Sequence, residues 1–131
     1  MKRRQARCAC GQLSLECVGE PVRVSICHCL ECQRRTGSVF SVQARFPLED
    51  VRFEGRARDF TRRADSGNLV RLHFCPGCGS TVYWQIEGME DFVVVAVGAF
   101  SDPGFPEPTI SVFSERSHPW ALFRLGPEAD E

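Results

Sequence analysis

Seven of the eight cysteines in this 131-residue chain fall into three short clusters. They are Cys8-Ala9-Cys10, Cys27-His28-Cys29-Leu30-Glu31-Cys32 and Cys75-Pro76-Gly77-Cys78. Thiolates one to three residues apart can converge on a single soft ion. This constrains the fold more than any apolar pattern, because distant parts of the chain must then meet around that ion. The two pairs together supply four ligands and close a tetrahedron. The triad supplies three and leaves a corner open. A closed site holds a fold together, whereas an open one can take part in chemistry.

A disulfide reading fits less well. Paired cysteines this close disfavour a bridge within a pair, so bridges would have to run between clusters. The N-terminal stretch 1–7 is basic but leads directly into Cys8, with no apolar stretch to make a signal peptide. The longest apolar run, 92–99, is far too short to cross a bilayer. A soluble cytoplasmic protein is expected, and in that compartment clustered cysteines are metal ligands more often than disulfides. Sixteen basic residues balance seventeen acidic ones, for a net charge of −1. With the basic cluster confined to residues 2–7, neither nucleic acid nor a membrane surface is expected as partner. Length and a 43% apolar content point to a single domain, 1–131, with a modest core that a structural metal would reinforce.

Apolar residues alternate over short distances, the signature of β-structure. Strands are expected at 12–18, 22–26, 38–46, 51–54, 58–63, 69–74, 81–86, 92–100, 110–113 and 121–125. Segments 51–54 and 58–63 read as a pair turning at Gly55, and 81–86 with 92–100 as a hairpin around 87–90. Helical periodicity is weak, with one or two turns expected at 30–36. Pro103, Gly104, Pro106 and Pro108 mark a loop, and the tail 127–131 reads as disordered. The fold class is all-β: short antiparallel strands clipped by metal sites.

Cys8, Cys10, Cys75 and Cys78 form the expected closed site. Gly11, Gly77 and Gly79 permit tight turns that aim backbone N–H groups at the sulfurs. Cys27, Cys29 and Cys32 form the open site. Three thiolates make a metal electron-rich and a weak Lewis acid, so such a site favours binding and exchange of another sulfur over hydrolysis. A substrate thiol arriving at the fourth corner becomes a thiolate, able to attack or release a carbon electrophile. Cys17 is the first candidate for a fourth protein ligand, but it shares a strand face with Leu13 and Leu15 and reads as core. His28 is better placed to hydrogen-bond or stack beside the ion than to coordinate it; His73 and His118 are more remote candidates. Arg34 and Arg35 follow the triad and can offset its charge and draw in anions, or can simply form a solvated basic turn. Thiolate-rich sites also take iron, cadmium or copper(I).

The chain resembles the glutathione-dependent formaldehyde-activating enzyme family, the domain also found in centromere protein V. The resemblance rests on Cys8-Ala9-Cys10-Gly11, on the run from Cys27-His28-Cys29-Leu30-Glu31-Cys32 through Gln33-Arg34-Arg35-Thr36-Gly37-Ser38, and on Phe74-Cys75-Pro76-Gly77-Cys78-Gly79-Ser80. A weaker match is Ser117-His118-Pro119-Trp120. It implies a β-tent-type fold with two zinc ions per chain: a structural one on Cys8, Cys10, Cys75 and Cys78, and a catalytic one on Cys27, Cys29 and Cys32. It also implies a carbon–sulfur lyase resembling S-(hydroxymethyl)glutathione synthase, acting on a glutathione-like thiol and a small aldehyde. Arg34 and Arg35 would then steer the carboxylates of the thiol. The competing expectation is a non-catalytic zinc module that binds a protein partner, with a protein ligand closing the triad.

Overall fold

A computed structural model describes residues 1–127. Ten strands and one short helix follow in the order β1 (Arg3–Arg7), β2 (Ser14–Val18), β3 (Arg23–Cys27), α1 (Leu30–Thr36), β4 (Ser41–Pro47), β5 (Val51–Glu54), β6 (Arg58–Arg63), β7 (Leu69–Phe74), β8 (Thr81–Ile86), β9 (Phe92–Ala96) and β10 (Ile110–Val112). The strands form two sheets. One has the order β1-β2-β5; the other runs β10-β3-β4-β9-β8-β7-β6. The all-β expectation holds, with antiparallel pairing throughout except where β10 lies parallel to β3.

The large sheet uses its two faces differently. Val24, Ala44, Phe46, Val82, Val93 and Val95 pack against Ala6, Leu15 and Cys17 of the small sheet and Leu13 just before β2. On the opposite face Val70, Leu72, Trp84 and Val94 form a second apolar cluster. This explains why Val93, Val94 and Val95 are all buried although successive residues point to opposite faces: both faces of β9 are covered. Helix α1 is too short to stand alone. Its N-cap is Cys29, whose sulfur accepts the Cys32 N–H, and its end is Gly37 in the left-handed region, where the backbone N–H returns to Gln33.

Several expectations need correction. Strand β1 was not expected, because Arg4 breaks the apolar alternation; its guanidinium is buried and paired with Glu20 at 2.6 Å and the Gly19 carbonyl at 3.1 Å. β5 and β6 do not pair: β5 joins β2 and β6 joins β7. Between them the Gln12 side chain bonds both the N–H and the C=O of Arg56, which steers the chain out of the small sheet. The expected strand 92–100 stops at Ala96 and continues as a 3₁₀ turn, Val97–Phe100. Residues 121–125 form no strand; Phe123 instead packs edge-on against Phe40, with centroids 4.6 Å apart. Val22, expected inward, is 58% exposed because the strand begins only at Arg23. Residues 128–131 of the tail expected to be disordered lie outside the described residues.

Candidate functional site

The structure brings Cys8, Cys10, Cys75 and Cys78 together, with all four sulfurs within 4.8 Å of one another. Cys10 Sγ lies 3.6 Å from Cys8 Sγ and 3.7 Å from Cys75 Sγ. Four sulfurs about 2.3 Å from a tetrahedral zinc are about 3.8 Å apart, so this donor set fits such an ion. Backbone and side-chain donors already face the sulfurs. Leu13 N–H donates to Cys8 Sγ at 3.3 Å, and Gly77 N–H to Cys75 Sγ at 3.3 Å. Gln12 Nε2 donates to Cys75 Sγ at 3.0 Å and holds that thiol below its usual range. Hydrogen bonding to Ser80 pulls Cys78 down to about 5. The chain reaches this turn through an irregular register between His73 and Phe74 at the end of β7.

Cys27, Cys29 and Cys32 also gather within 4.8 Å of one another. They are only 5%, 6% and 7% exposed. Cys27 ends β3, Cys29 caps α1 and Cys32 lies in its first turn. Hydrogen bonding from Cys27, then from Cys32, pulls Cys29 toward the thiolate, and the same contact pushes Cys27 up. Three buried thiol sulfurs gathered at one point are a donor set suited to a soft cation. Both clusters can therefore hold a metal ion and are compatible with zinc.

Among the described residues, no further His, Cys, Asp or Glu joins the triad. Cys17 lies fully buried in β2 of the other sheet. His28 is buried, and its Nε2 is 3.1 Å from Ser111 Oγ. His118 Nε2 is 3.1 Å from Gln33 Oε1, and Gln33 Nε2 in turn donates to the His28 carbonyl at 2.9 Å. These two histidines brace the chain around the triad. His73 stacks on Tyr83, with centroids 4.3 Å apart.

The triad opens onto a cavity of about 220 Å³ on the face of the large sheet turned away from the small one. Arg23, Ser25 and Cys27 line it from β3, Gln43 and Arg45 from β4, and Arg62 from β6. The apolar floor is Val70, Trp84, Ile86 and Val94. Neither Arg34 nor Arg35 lines this cavity; both line a neighbouring one of about 370 Å³. Arg34 is 70% exposed and paired with Glu31. Arg35 turns inward: it sits 4.4 Å over the Trp84 ring, and its Nη2 donates to Ser41 Oγ at 2.6 Å. The arginines on the sulfur cavity, Arg23, Arg45 and Arg62, were not foreseen. The signal for Arg23 was present, since the alternation that turns Val24 and Ile26 one way turns Arg23, Ser25 and Cys27 the other.

The profile of the glutathione-dependent formaldehyde-activating enzyme family matches residues 3–116. The chain belongs to this family. A Colletotrichum graminicola relative, provisionally named a glutathione-dependent formaldehyde-activating enzyme, is 29% identical over 115 residues. That match covers 79% of this chain and 60% of the relative, so the chain spans about 60% of the length of that curated relative. A crystal structure of a Rhodobacter sphaeroides protein, a Northeast Structural Genomics target, superimposes with a TM-score of 0.60 at 20% identity. It covers 82% of this chain and 99% of its own, and shares the fold. Both sulfur clusters lie within the matched residues. No helix among the described residues is long and apolar enough to cross a membrane.

Proposed function

We propose that the chain is a zinc-dependent carbon–sulfur lyase that joins a glutathione-like thiol to a small aldehyde, formaldehyde in the family's name, and runs the reverse reaction. One observation carries this reading: three buried, clustered sulfurs open onto a cavity and have no fourth protein ligand among the described residues. In this proposal residues 1–131 act as one cytoplasmic domain. Cys8, Cys10, Cys75 and Cys78 hold a structural zinc, and Cys27, Cys29 and Cys32 hold the second.

When bound, the second ion supplies positive charge that favours the thiolate form of an arriving thiol. The chain's residues do the rest. Arg62 and Arg35, both close enough to lower the cost of charge on the triad sulfurs, offset the negative excess. Trp84 and Val94 exclude water from the cavity floor. A thiolate sulfur attacks the aldehyde carbon, one C–S bond forms, the carbonyl π bond breaks, and the proton lost by the thiol ends on the new hydroxyl. No electrons are gained or lost overall. Arg35 serves by positioning, through Ser41 and Trp84, and Arg34 by drawing anions toward the neighbouring cavity.

The rival reading, a structural zinc module for a protein partner, needs a side chain closing the triad, and Cys17 is in the wrong sheet to do so. The test is carbon-13 NMR of labelled formaldehyde mixed with glutathione. The zinc-loaded protein accelerates appearance of the S-hydroxymethyl carbon, and Cys29→Ser abolishes the acceleration. A rate equal to that in buffer alone overturns the proposal.

A further inference from the structure

The sulfur cavity carries more positive charge than the triad requires. Arg23 on β3 and Arg45 on β4 are direct cross-strand partners, on the sheet face that bears Cys27. Like charges directly opposite one another destabilise a sheet. Each of these arginines has its Nε buried without a partner among the described residues. Neither takes part in any ion pair found there. Burial and the neighbouring Arg23 both act against the charge on Arg45. Asp65, on an exposed turn, is the carboxylate on the cavity wall. Arg62 reaches the same cavity from the far edge of the sheet, and its Nε and Nη1 are also buried without a partner among the described residues, but it has no arginine opposite it: its cross-strand partner is Val70. Arg23 and Arg45 are the two that stand directly opposed, a cationic pair with no carboxylate between them.

Their position defines what they would bind. Arg23 stands four residues before Cys27 on the same strand face, about 13 Å away at ~3.3 Å per residue. Soft sulfur chemistry lies at one end of the cavity and a pair of guanidinium forks at the other, with apolar Trp84 and Val94 on the floor. We propose that Arg23 and Arg45 bind the carboxylate of a compact, apolar-bodied thiol acid whose sulfur lies at the Cys27, Cys29 and Cys32 end. This deepens the proposed function and rests on it for the sulfur half. A carboxylate offers the two-pronged acceptor that a guanidinium fork matches, and its charge relieves the repulsion between the two arginines. The body should be apolar where it crosses the floor of Val70, Trp84, Ile86 and Val94, since those side chains offer a polar group no hydrogen bond in exchange for its lost water. It should be compact because about 220 Å³ falls below the ~300–1,000 Å³ usual for ligand pockets.

The experiment is calorimetry on the zinc-loaded full chain with four probes: 6-mercaptohexanoate, its neutral analogue 6-mercaptohexanol, sulfur-free hexanoate, and glutathione. The acid thiol binds about tenfold or more tighter than the alcohol, and tighter than glutathione. Arg23→Gln and Arg45→Gln each bring the acid-to-alcohol ratio to within about twofold and leave the alcohol's affinity unchanged. Equal binding of acid and alcohol by the unmodified protein overturns the anion site, and that comparison needs no variant to fold. A ratio that survives both substitutions overturns the assignment to these arginines. Glutathione binding tighter than the acid thiol overturns the apolar body. Arginine-dependent binding of hexanoate with no gain from adding sulfur confirms the anion end but sinks the sulfur reading, and with it the thiol half of this proposal.

Discussion

The two sulfur clusters are made of the same ligand and do opposite things to the molecule. The four-thiol cluster draws on two pairs far apart in sequence, with Cys10 and Cys75 separated by 65 positions. Its outer members, Cys10 and Cys78, are exposed to solvent. The triad is local, contained in one turn between β3 and α1, and all three of its sulfurs are buried. Exposure of a ligand is therefore a poor guide to chemistry here. The exposed cluster gathers four sulfurs from distant parts of the chain, enough to close a tetrahedral site; the buried one gathers three beside a cavity. Loop-closure entropy sharpens the contrast, because a cross-link spanning a long loop removes more freedom from the unfolded chain than one within a single turn.

The largest effect should come from breaking this symmetry directly. Structural zinc sites in small peptides contribute ~10–16 kcal/mol of apparent binding energy at neutral pH, as much as the whole stability of an ordinary domain. Cys75→Ser should abolish the cooperative melt followed by circular dichroism. Cys29→Ser should keep that melt within a few degrees, while both variants lose about one equivalent of zinc by elemental analysis. Equal damage from the two substitutions would mean that the triad is a second structural clip.

Cys17, the eighth cysteine, belongs to neither cluster and serves as the control. Burial pushes its thiol up to about 12, against 9.0 for an ordinary cysteine. The sign follows from proton counting. Below pH ~9 both folded and unfolded chains keep this proton; above it the unfolded chain releases the proton while the folded chain retains it, so stability falls as pH rises from ~9 toward ~12. The slope is about 1.4 kcal/mol per pH unit. Urea midpoints measured at pH 8, 9 and 10 should fall more steeply for the unmodified protein than for Cys17→Ala. Parallel slopes would show that the alkaline loss comes from the clusters instead.

Much of this was legible in the sequence because the strongest constraints were local. The spacing within each cysteine cluster identified both groupings, and period-two alternation located β6, β7 and β8 to the residue. What stayed hidden depended on partners distant in sequence. Arg4 disguised β1, because its charge is offset by Glu20, a residue 16 positions away. Gln12 looked like an ordinary strand residue, yet its side chain ties Arg56 to Cys75 and so separates β5 from β6. Arg34 and Arg35 were conspicuous for adjacency to the triad, but the cavity is built across the sheet, where cross-strand register brings in Arg45 and Arg62. Adjacency along the chain predicts contact well within a helix or turn and poorly across a seven-stranded sheet.

Gln12 also separates the clusters more finely, since it touches only one. Groups that hydrogen-bond a metal ligand typically contribute ~10–100-fold to affinity. Gln12→Leu should weaken retention of zinc at Cys8, Cys10, Cys75 and Cys78 by about that factor in chelator competition, and leave the triad's zinc unaffected. Gly55→Ala should act in the same direction by another route: its Cβ would collide with the Gln12 carbonyl oxygen, and its φ of +90° disfavours any side chain. If Gln12→Leu instead loosens both ions equally, the clusters are coupled through the fold and the contrast between them weakens.

The smallest effect tests the functional side of the contrast, because function and stability should pull apart there. Arg45 faces Arg23 across the strands and buries an Nε that has no partner among the described residues. Against this it gains one contact, the Phe92 ring 5.8 Å from its guanidinium carbon. An exposed cation–π contact is worth ~0.5–1 kcal/mol and this one lies near the limit of its range. Opposed like charges cost ~0.2–1 kcal/mol and an unsatisfied buried donor ~1–3 kcal/mol. The unfavourable effects win, so Arg45→Met should stabilise the fold by about 1 kcal/mol, read as a higher urea midpoint at unchanged m-value, while removing the preference for an acidic ligand. A residue retained for packing would show the reverse, a lower midpoint with ligand preference intact. Arg71→Met offers the matched comparison on the opposite face of the same sheet. Its guanidinium is already paired with Asp59 at 2.6 Å, so its removal should gain no stability and leave ligand preference unchanged.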